Sequence, residues 1–114
     1  MHEFPITQQI IKIAEETAVK NNAKKVLKIS LVVGETSGIV EESIRMYFDI
    51  VSKGTIVEGA ELEVTHVEHK MFCPKCKKYF KREKYYFDCP ECGGPGDPTE
   101  VGKEFYIKDI EIDS

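Results

Sequence analysis

Residues 73–92 read CPKCKKYFKREKYYFDCPEC. Cys73 and Cys76, then Cys89 and Cys92, are the four cysteines of the chain, two C-x-x-C pairs separated by twelve residues. A C-x-x-C turn can point two sulfurs at one metal, and two such turns complete a tetrahedron. The spacing is therefore that of a four-thiolate zinc site. Four protein ligands leave zinc no position for water or substrate, which makes the site structural. Two disulfides would need a secreted chain, and no signal-peptide pattern opens this one. A thioredoxin-like function would use one reactive pair near a βαβ pattern, not two matched pairs. The segment from Gly93 to Pro98, GGPGDP, is too rich in breakers to read as anything but loop. Its surroundings hold too few hydrophobics for a core of their own, so metal binding supplies the folding energy, about 10–16 kcal/mol in zinc-binding peptides.

On either side of this segment the pattern is that of a small α+β layer. Ile6, Ile10, Ile13, Ala14 and Thr17 recur at helical spacing after Phe4-Pro5, which predicts an amphipathic helix over about 5–22, ended by Asn21-Asn22. Residues 26–33 alternate. Leu27, Ile29, Leu31 and Val33 form one apolar side of a strand, with Val26, Lys28, Ser30 and Val32 on the other. Val40, Ile44, Tyr47, Phe48 and Val51 give a second helical stripe that stops at Gly54. A second strand is expected over about 61–69, with Leu62 and Val64 on one face. A last strand is expected over about 103–112. In that last strand Phe105 and Ile107 have one parity and Ile110 and Ile112 the other, and a bulge near Lys108-Asp109 would reconcile them.

The fold class is thus α+β: a small three-stranded sheet with two helices on one face, plus an inserted zinc-knuckle domain with four cysteine ligands. Residues 1–70 and 98–114 form the α/β domain and 71–97 the zinc domain. Both ends of the insert are expected to return to neighbouring strands. The Met, Ile and Phe stripes of the helices are read as core.

Bulk properties exclude several classes. The 114 residues are 41% hydrophobic and 32% charged, as in a soluble globular protein. No apolar run reaches the roughly 18 residues a membrane helix needs, so no membrane partner is expected and the chain is placed in the cytoplasm. The net charge of −4 disfavours nucleic acid as a partner of the whole molecule. The charge is uneven, however: residues 70–87 carry seven cations against Glu83 alone. With Tyr79, Phe80, Tyr85, Tyr86 and Phe87 interleaved, this run supports an alternative, a zinc-ribbon nucleic-acid-binding or protein-interaction module. Packing around the zinc and against the sheet is the simpler reading of those aromatics. There is no Ser/His/Asp or Cys/His constellation and no phosphate loop, so no catalytic residue is assigned and the chain is not expected to be an enzyme. Glu35, Thr36 and Ser37 lie in a loop and receive no role.

The other end carries a second metal pattern. His2 follows Met1, and a side chain of that size hinders removal of the methionine. The α-amine, with a pKa of about 7.7–8.0, is then available to a competing metal. The Met1 amine and the His2 backbone nitrogen close a five-membered chelate ring, and that nitrogen and the His2 imidazole Nδ1 a six-membered one. Fused nitrogen chelates favour the square-planar geometry of Ni(II) or Cu(II). A fourth donor would come from Glu3, another histidine or a partner.

Both metal patterns together, with VLKISLVVGETSG (26–38), EESIRMYFDIVSKGTIVEGAELEV (41–64) and GKEFYIKDIEI (102–112), resemble the HypA/HybF family over nearly the whole chain. The resemblance implies a nickel metallochaperone that delivers Ni(II) to the [NiFe]-hydrogenase large subunit. Met1 and His2 would bind the nickel cargo with Glu3 assisting, and Cys73, Cys76, Cys89 and Cys92 would hold structural zinc. It also implies as partners a HypB-type GTPase and the hydrogenase large-subunit precursor, with urease accessory proteins as further candidates, and a monomer or weak homodimer. Some members carry another histidine in the zinc segment. This chain has none between residues 71 and 97. His66 and His69 are read as solvated or half-packed strand residues.

Overall fold

The computed structural model describes residues 3–81 and 87–113. Helix α1 runs over Glu3–Lys20. Asn22 ends it at φ 57°, and the Ala23 N–H donates to the Ala18 carbonyl at 2.8 Å, the left-handed stop that asparagine tolerates. Its buried residues are Glu3, Thr7, Ile10, Ile11, Ala14 and Ala18. The buried stripe is therefore rotated from the expected one, and Ile13 is 36% exposed. Small residues at 14 and 18 let the helix lie close on its neighbours, and that pulls Thr7 and Ile11 inward.

Strand β1, Val26–Gly34, is the centre of the main sheet. Strand β2, Glu61–Val67, pairs with it in parallel, and the last strand, Phe105–Ile112, pairs antiparallel on its other edge. Between β1 and β2 lies α2, Glu41–Val51. Ile10, Ile11, Ala14 and Ala18 of α1 and Ile44 and Phe48 of α2 join one cluster with Ile29, Leu31 and Val33 of β1 and Leu62 of β2. Both helices thus cover the same face of the sheet, as expected. The strand between residues 26 and 33 departs from strict alternation. A register shift between Val26 and Lys28 puts Val26 in the core and leaves Leu27 43% exposed. The bulge expected near Lys108-Asp109 is present: Ser30 faces Asp109 but Leu31 faces Ile107. Phe105, Ile107, Ile110 and Ile112 therefore all pack against the core.

A second sheet holds the cysteine segment. Strand β3, Lys70–Cys73, pairs antiparallel with β4, Lys78–Lys81, and with β5, Asp97–Pro98. With β5 in place, Phe105–Ile112 becomes β6, and the sheets have orders β2-β1-β6 and β4-β3-β5. Two expectations change. The run over 61–69 is not one strand, since β2 ends at Val67 and β3 begins the other sheet at Lys70. Asp97-Pro98 is strand rather than loop, because an edge position needs no N–H from proline. The segment also leaves from β2 and returns to β6, which are separated by β1 and not neighbours.

The end of β1 ties the two sheets together. The Gly34 N–H donates to the Glu104 carbonyl at 2.6 Å, Glu35 N–H to Val67 at 2.8 Å and Thr36 N–H to Gly102 at 2.7 Å. The Thr36 hydroxyl donates to the same Gly102 oxygen at 2.9 Å. Glu35 and Thr36, unassigned from sequence, thus grip both connections to the cysteine segment. The described residues span 55 × 26 × 17 Å. No helix is long and apolar enough to cross a membrane among the described residues.

Candidate metal centres

The two C-x-x-C turns share one backbone hydrogen bond, from the residue after the pair to the first cysteine's carbonyl, and differ in which N–H meets a sulfur. The Cys76 N–H donates to Cys73 Sγ at 3.4 Å and the Lys77 N–H to the Cys73 carbonyl at 2.7 Å. In the second turn the Gly94 N–H donates to Cys92 Sγ at 3.4 Å and the Gly93 N–H to the Cys89 carbonyl at 2.8 Å. The residue after each pair, Lys77 or Gly93, has positive φ, 56° and 71°. Cys73 and Cys89 are buried, Cys76 is half-buried and Cys92 exposed. All four sulfurs lie within 4.8 Å of one another, with Cys73–Cys92 at 3.5 Å and Cys76–Cys89 at 4.0 Å. A regular tetrahedron with zinc–sulfur bonds of about 2.3 Å has edges of about 3.8 Å. The residues present therefore fit a zinc ion. Bound there, it would supply a closed four-thiolate junction between the two turns, with no open coordination position.

Crowding sets the thiol acidities. The Cys76 backbone N–H stabilises the Cys73 thiolate, which pulls the Cys73 pKa down to about 7. Cys76 is pushed up to about 12, first by its sulfur neighbours Cys92 and Cys73. Four thiolates at these separations repel one another unless a cation lies among them, which is what the donor set is shaped to accept.

The second centre falls partly outside the described residues: Met1 and His2, the expected nickel ligands, are not among them. Glu3 is. Its side chain is buried in the first turn of α1, and Oε2 accepts the Val40 N–H at 3.2 Å, while its carbonyl accepts the Thr7 hydroxyl. Glu3 thus pins the start of α1 to the start of α2. Next to Val40, Glu41 accepts from Arg45 Nε at 2.7 Å, and its other oxygen lies 2.6 Å from His66 Nε2. Arg45 is the main cause that holds the Glu41 carboxyl below the usual range, with His66 contributing and partial burial opposing. The pair is invisible in sequence because 25 residues separate its members. His69 differs from His66: it is buried and its Nδ1 lies 3.1 Å from the Val101 carbonyl, a structural contact.

The aromatics of the cysteine segment are less packed than expected. Tyr79 stacks edge-on against Phe72, with centroids 5.2 Å apart, yet is 59% exposed, and Phe87 is 53% exposed. Tyr85 and Tyr86 lie outside the described residues.

Comparison with known proteins agrees with this geometry. The family model "Hydrogenase/urease nickel incorporation, metallochaperone, hypA" matches residues 1–112. The chain belongs to the HypA family. A hydrogenase maturation factor HypA of Caldanaerobacter subterraneus subsp. tengcongensis is 43% identical over 99% of this chain and 100% of its own length. One from Dehalococcoides mccartyi is 39% identical over 99% and 95% respectively. The solution structure of the Ni metallochaperone HypA from Helicobacter pylori superposes with TM-score 0.66 at 25% identity, covering 100% of this chain and 99% of that one. Membership makes the chain a nickel metallochaperone of hydrogenase maturation, with a four-cysteine cluster compatible with zinc.

Proposed function

We propose that this chain carries Ni(II) at its amino end and delivers it to the [NiFe]-hydrogenase large-subunit precursor. Met1 and His2 supply the chelate and Glu3 assists. The observation that carries this reading is the family match across residues 1–112, which includes the Met1-His2-Glu3 opening. Glu3 assists by position: its carboxylate fixes the first turn of α1 against Val40. A nickel carrier must exclude weaker competitors and still release its ion, and a terminus with few ligands does both, since protonation opens it.

In the same reading residues 1–70 and 98–114 form the nickel domain and 71–97 the zinc domain, with Cys73, Cys76, Cys89 and Cys92 as the zinc ligands. The protein is not an enzyme. It acts in the cytoplasm, where thiols stay reduced. Its partners are a HypB-type GTPase and the precursor, with urease accessory proteins as further candidates, and it is a monomer or weak homodimer. Nickel titration of the zinc-loaded chain tests the central claim. Tight, stoichiometric uptake is expected for the wild type and not for His2→Ala or a form extended at its amino end. Absence of nickel uptake by the wild type at neutral pH would overturn the reading.

A further inference from the structure

Strand β6 ends the main sheet, and among the described residues no strand pairs with its outer side. Such an edge leaves backbone N–H and C=O groups open to another strand. The Glu104 carbonyl accepts the Gly34 N–H and the Asp113 N–H donates to the Lys25 carbonyl, so those two residues turn their backbone toward β1. Alternation then turns Phe105 and Ile107 outward from one end and Ile112 and Ile110 outward from the other, with the bulge at Lys108-Asp109 absorbing the change of phase. The same four side chains pack against the core, whereas Tyr106, Lys108, Asp109 and Glu111 are exposed. Read from either end, β6 gives the same order of half-buried and exposed positions. The bulge thus makes the strand a palindrome. A shallow groove of about 250 Å³ runs beside it, lined by Ile6, Gln9, Ile10 and Ile13 of α1 and by residues 105–107.

We propose that β6 pairs with β6 of a second copy of this chain, antiparallel about a two-fold axis between Lys108 and Asp109, which joins the two three-stranded sheets into one. In that register Phe105 faces the partner's Ile112 and Ile107 faces the partner's Ile110, all with backbone groups turned to the seam. On the helix-covered side those isoleucines reach the open groove beside α1. On the other side Lys108 lies against the partner's Asp109 and Tyr106 against the partner's Glu111. The two-fold axis repeats each pair, so opposite charges meet twice. At the ends Glu104 comes opposite the partner's Asp113, a like-charge pair. Glu104 Oε1, however, accepts the Gly102 N–H at 2.6 Å, and Asp113 Oδ1 accepts the Lys24 and Lys25 N–H groups at 3.1 and 3.0 Å. Both carboxylates are thus engaged with their own chain. A lysine on an edge keeps strands apart unless an acid meets it, so Lys108 turns away strands that lack a counterpart to Asp109. The outer edge of β2 has no such symmetry: turned about Val64, it sets Leu62 against His66. The seam is one short strand pair, which makes the dimer weak. The proposal goes beyond nickel carriage and does not depend on it.

The test is sedimentation equilibrium of the zinc-loaded full-length chain across a wide range of concentration. A monomer–dimer equilibrium is expected for the wild type. Lys108→Glu places an acid against the partner's Asp109, and Asp109→Lys brings two lysines together. Each variant alone should therefore dimerise at least about tenfold more weakly. Mixed in equal amounts, the two should recover dimers, because each then offers the charge the other lacks. Both positions are exposed, so circular dichroism and zinc content should match wild type. Amide exchange on the wild type gives a second readout: protection at Phe105, Ile107, Ile110 and Ile112 should rise with concentration, while that of Tyr106 and Glu111 stays constant. A wild type that remains a monomer throughout overturns the proposal and leaves the edge to a strand of another protein. A dimer that both variants form as readily as wild type overturns it too, since the contact then lies on another face. So does a mixture of the variants that stays monomeric. Nickel uptake is measured separately, and its failure would leave this interface standing.

Discussion

Lys77 and Gly93 occupy the same place in two copies of one turn, each directly after a C-x-x-C pair and each in the left-handed region. That conformation costs an L-residue about 1–2 kcal/mol, and glycine nothing steric. A methyl group on Gly93 would meet no atom within 4 Å, so the cost of Gly93→Ala is purely that of the backbone. Because folding of the segment is linked to the metal, the strain is read as affinity: Gly93→Ala should weaken zinc about tenfold in competition with a chelator. Lys77→Gly removes similar strain but adds glycine's unfolded-state entropy, so it should gain at most about 1 kcal/mol. Equal affinities for wild type and Gly93→Ala would show that the turn does not constrain the site. The cysteine spacing was legible in sequence because each turn is local, with every group that shapes it within five residues. Leu27 was not. Its exposure depends on a slip against β6, some eighty residues away, which no periodicity in β1 reports.

At the level of elements, the end of β1 does more than finish a strand. Gly34, Glu35 and Thr36 bond in turn to Glu104, Val67 and Gly102, so one short stretch holds both chains that lead to the second sheet. The contact is close enough that a side chain on Gly34 would overlap the Gly102 carbonyl and crowd the Glu104 nitrogen, both rigid backbone. Gly34→Ala should therefore cost about 1–3 kcal/mol, seen as a lower midpoint in denaturant with the zinc content unchanged. Thr36→Val, which keeps the shape and removes one hydroxyl donor, should cost about 1 kcal/mol. A Gly34→Ala chain as stable as wild type would mean the connections are not gripped. The helices and strands themselves could be read from apolar spacing, because each needs one buried face. Their joint could not, since Glu35 and Thr36 look like ordinary loop residues until partners 32 and 66 positions away are folded beside them. The phase of α1 was misjudged for a related reason: Thr7 counts as polar in a pattern, yet its hydroxyl is satisfied by the Glu3 carbonyl and it can be buried.

Across the whole molecule the two sheets are stabilised by different means. The sheet β2-β1-β6 sits under a twelve-residue buried cluster fed by both helices. In the sheet β4-β3-β5 and its turns, the buried apolar side chains among the described residues are Met71, Cys73 and Cys89. Burial of one such side chain is worth about 1.5–3 kcal/mol, whereas a structural zinc contributes about 10–16 kcal/mol to a small fold. The metal term dominates in the second sheet and is absent from the first. Chelation of the zinc, or Cys89→Ser, should therefore abolish amide-exchange protection over residues 70–81 and 87–98 while α1, α2 and β1 keep theirs. Far-UV circular dichroism should retain nearly all of its helical signal, since both helices lie in the part that needs no metal. Acid should act in the same direction. Zinc affinity falls with pH as protons compete for the four sulfurs, so acid removes the metal that the second sheet depends on. Loss of helical exchange protection together with the zinc would show instead that the grip at Gly34–Thr36 makes the two sheets one cooperative unit.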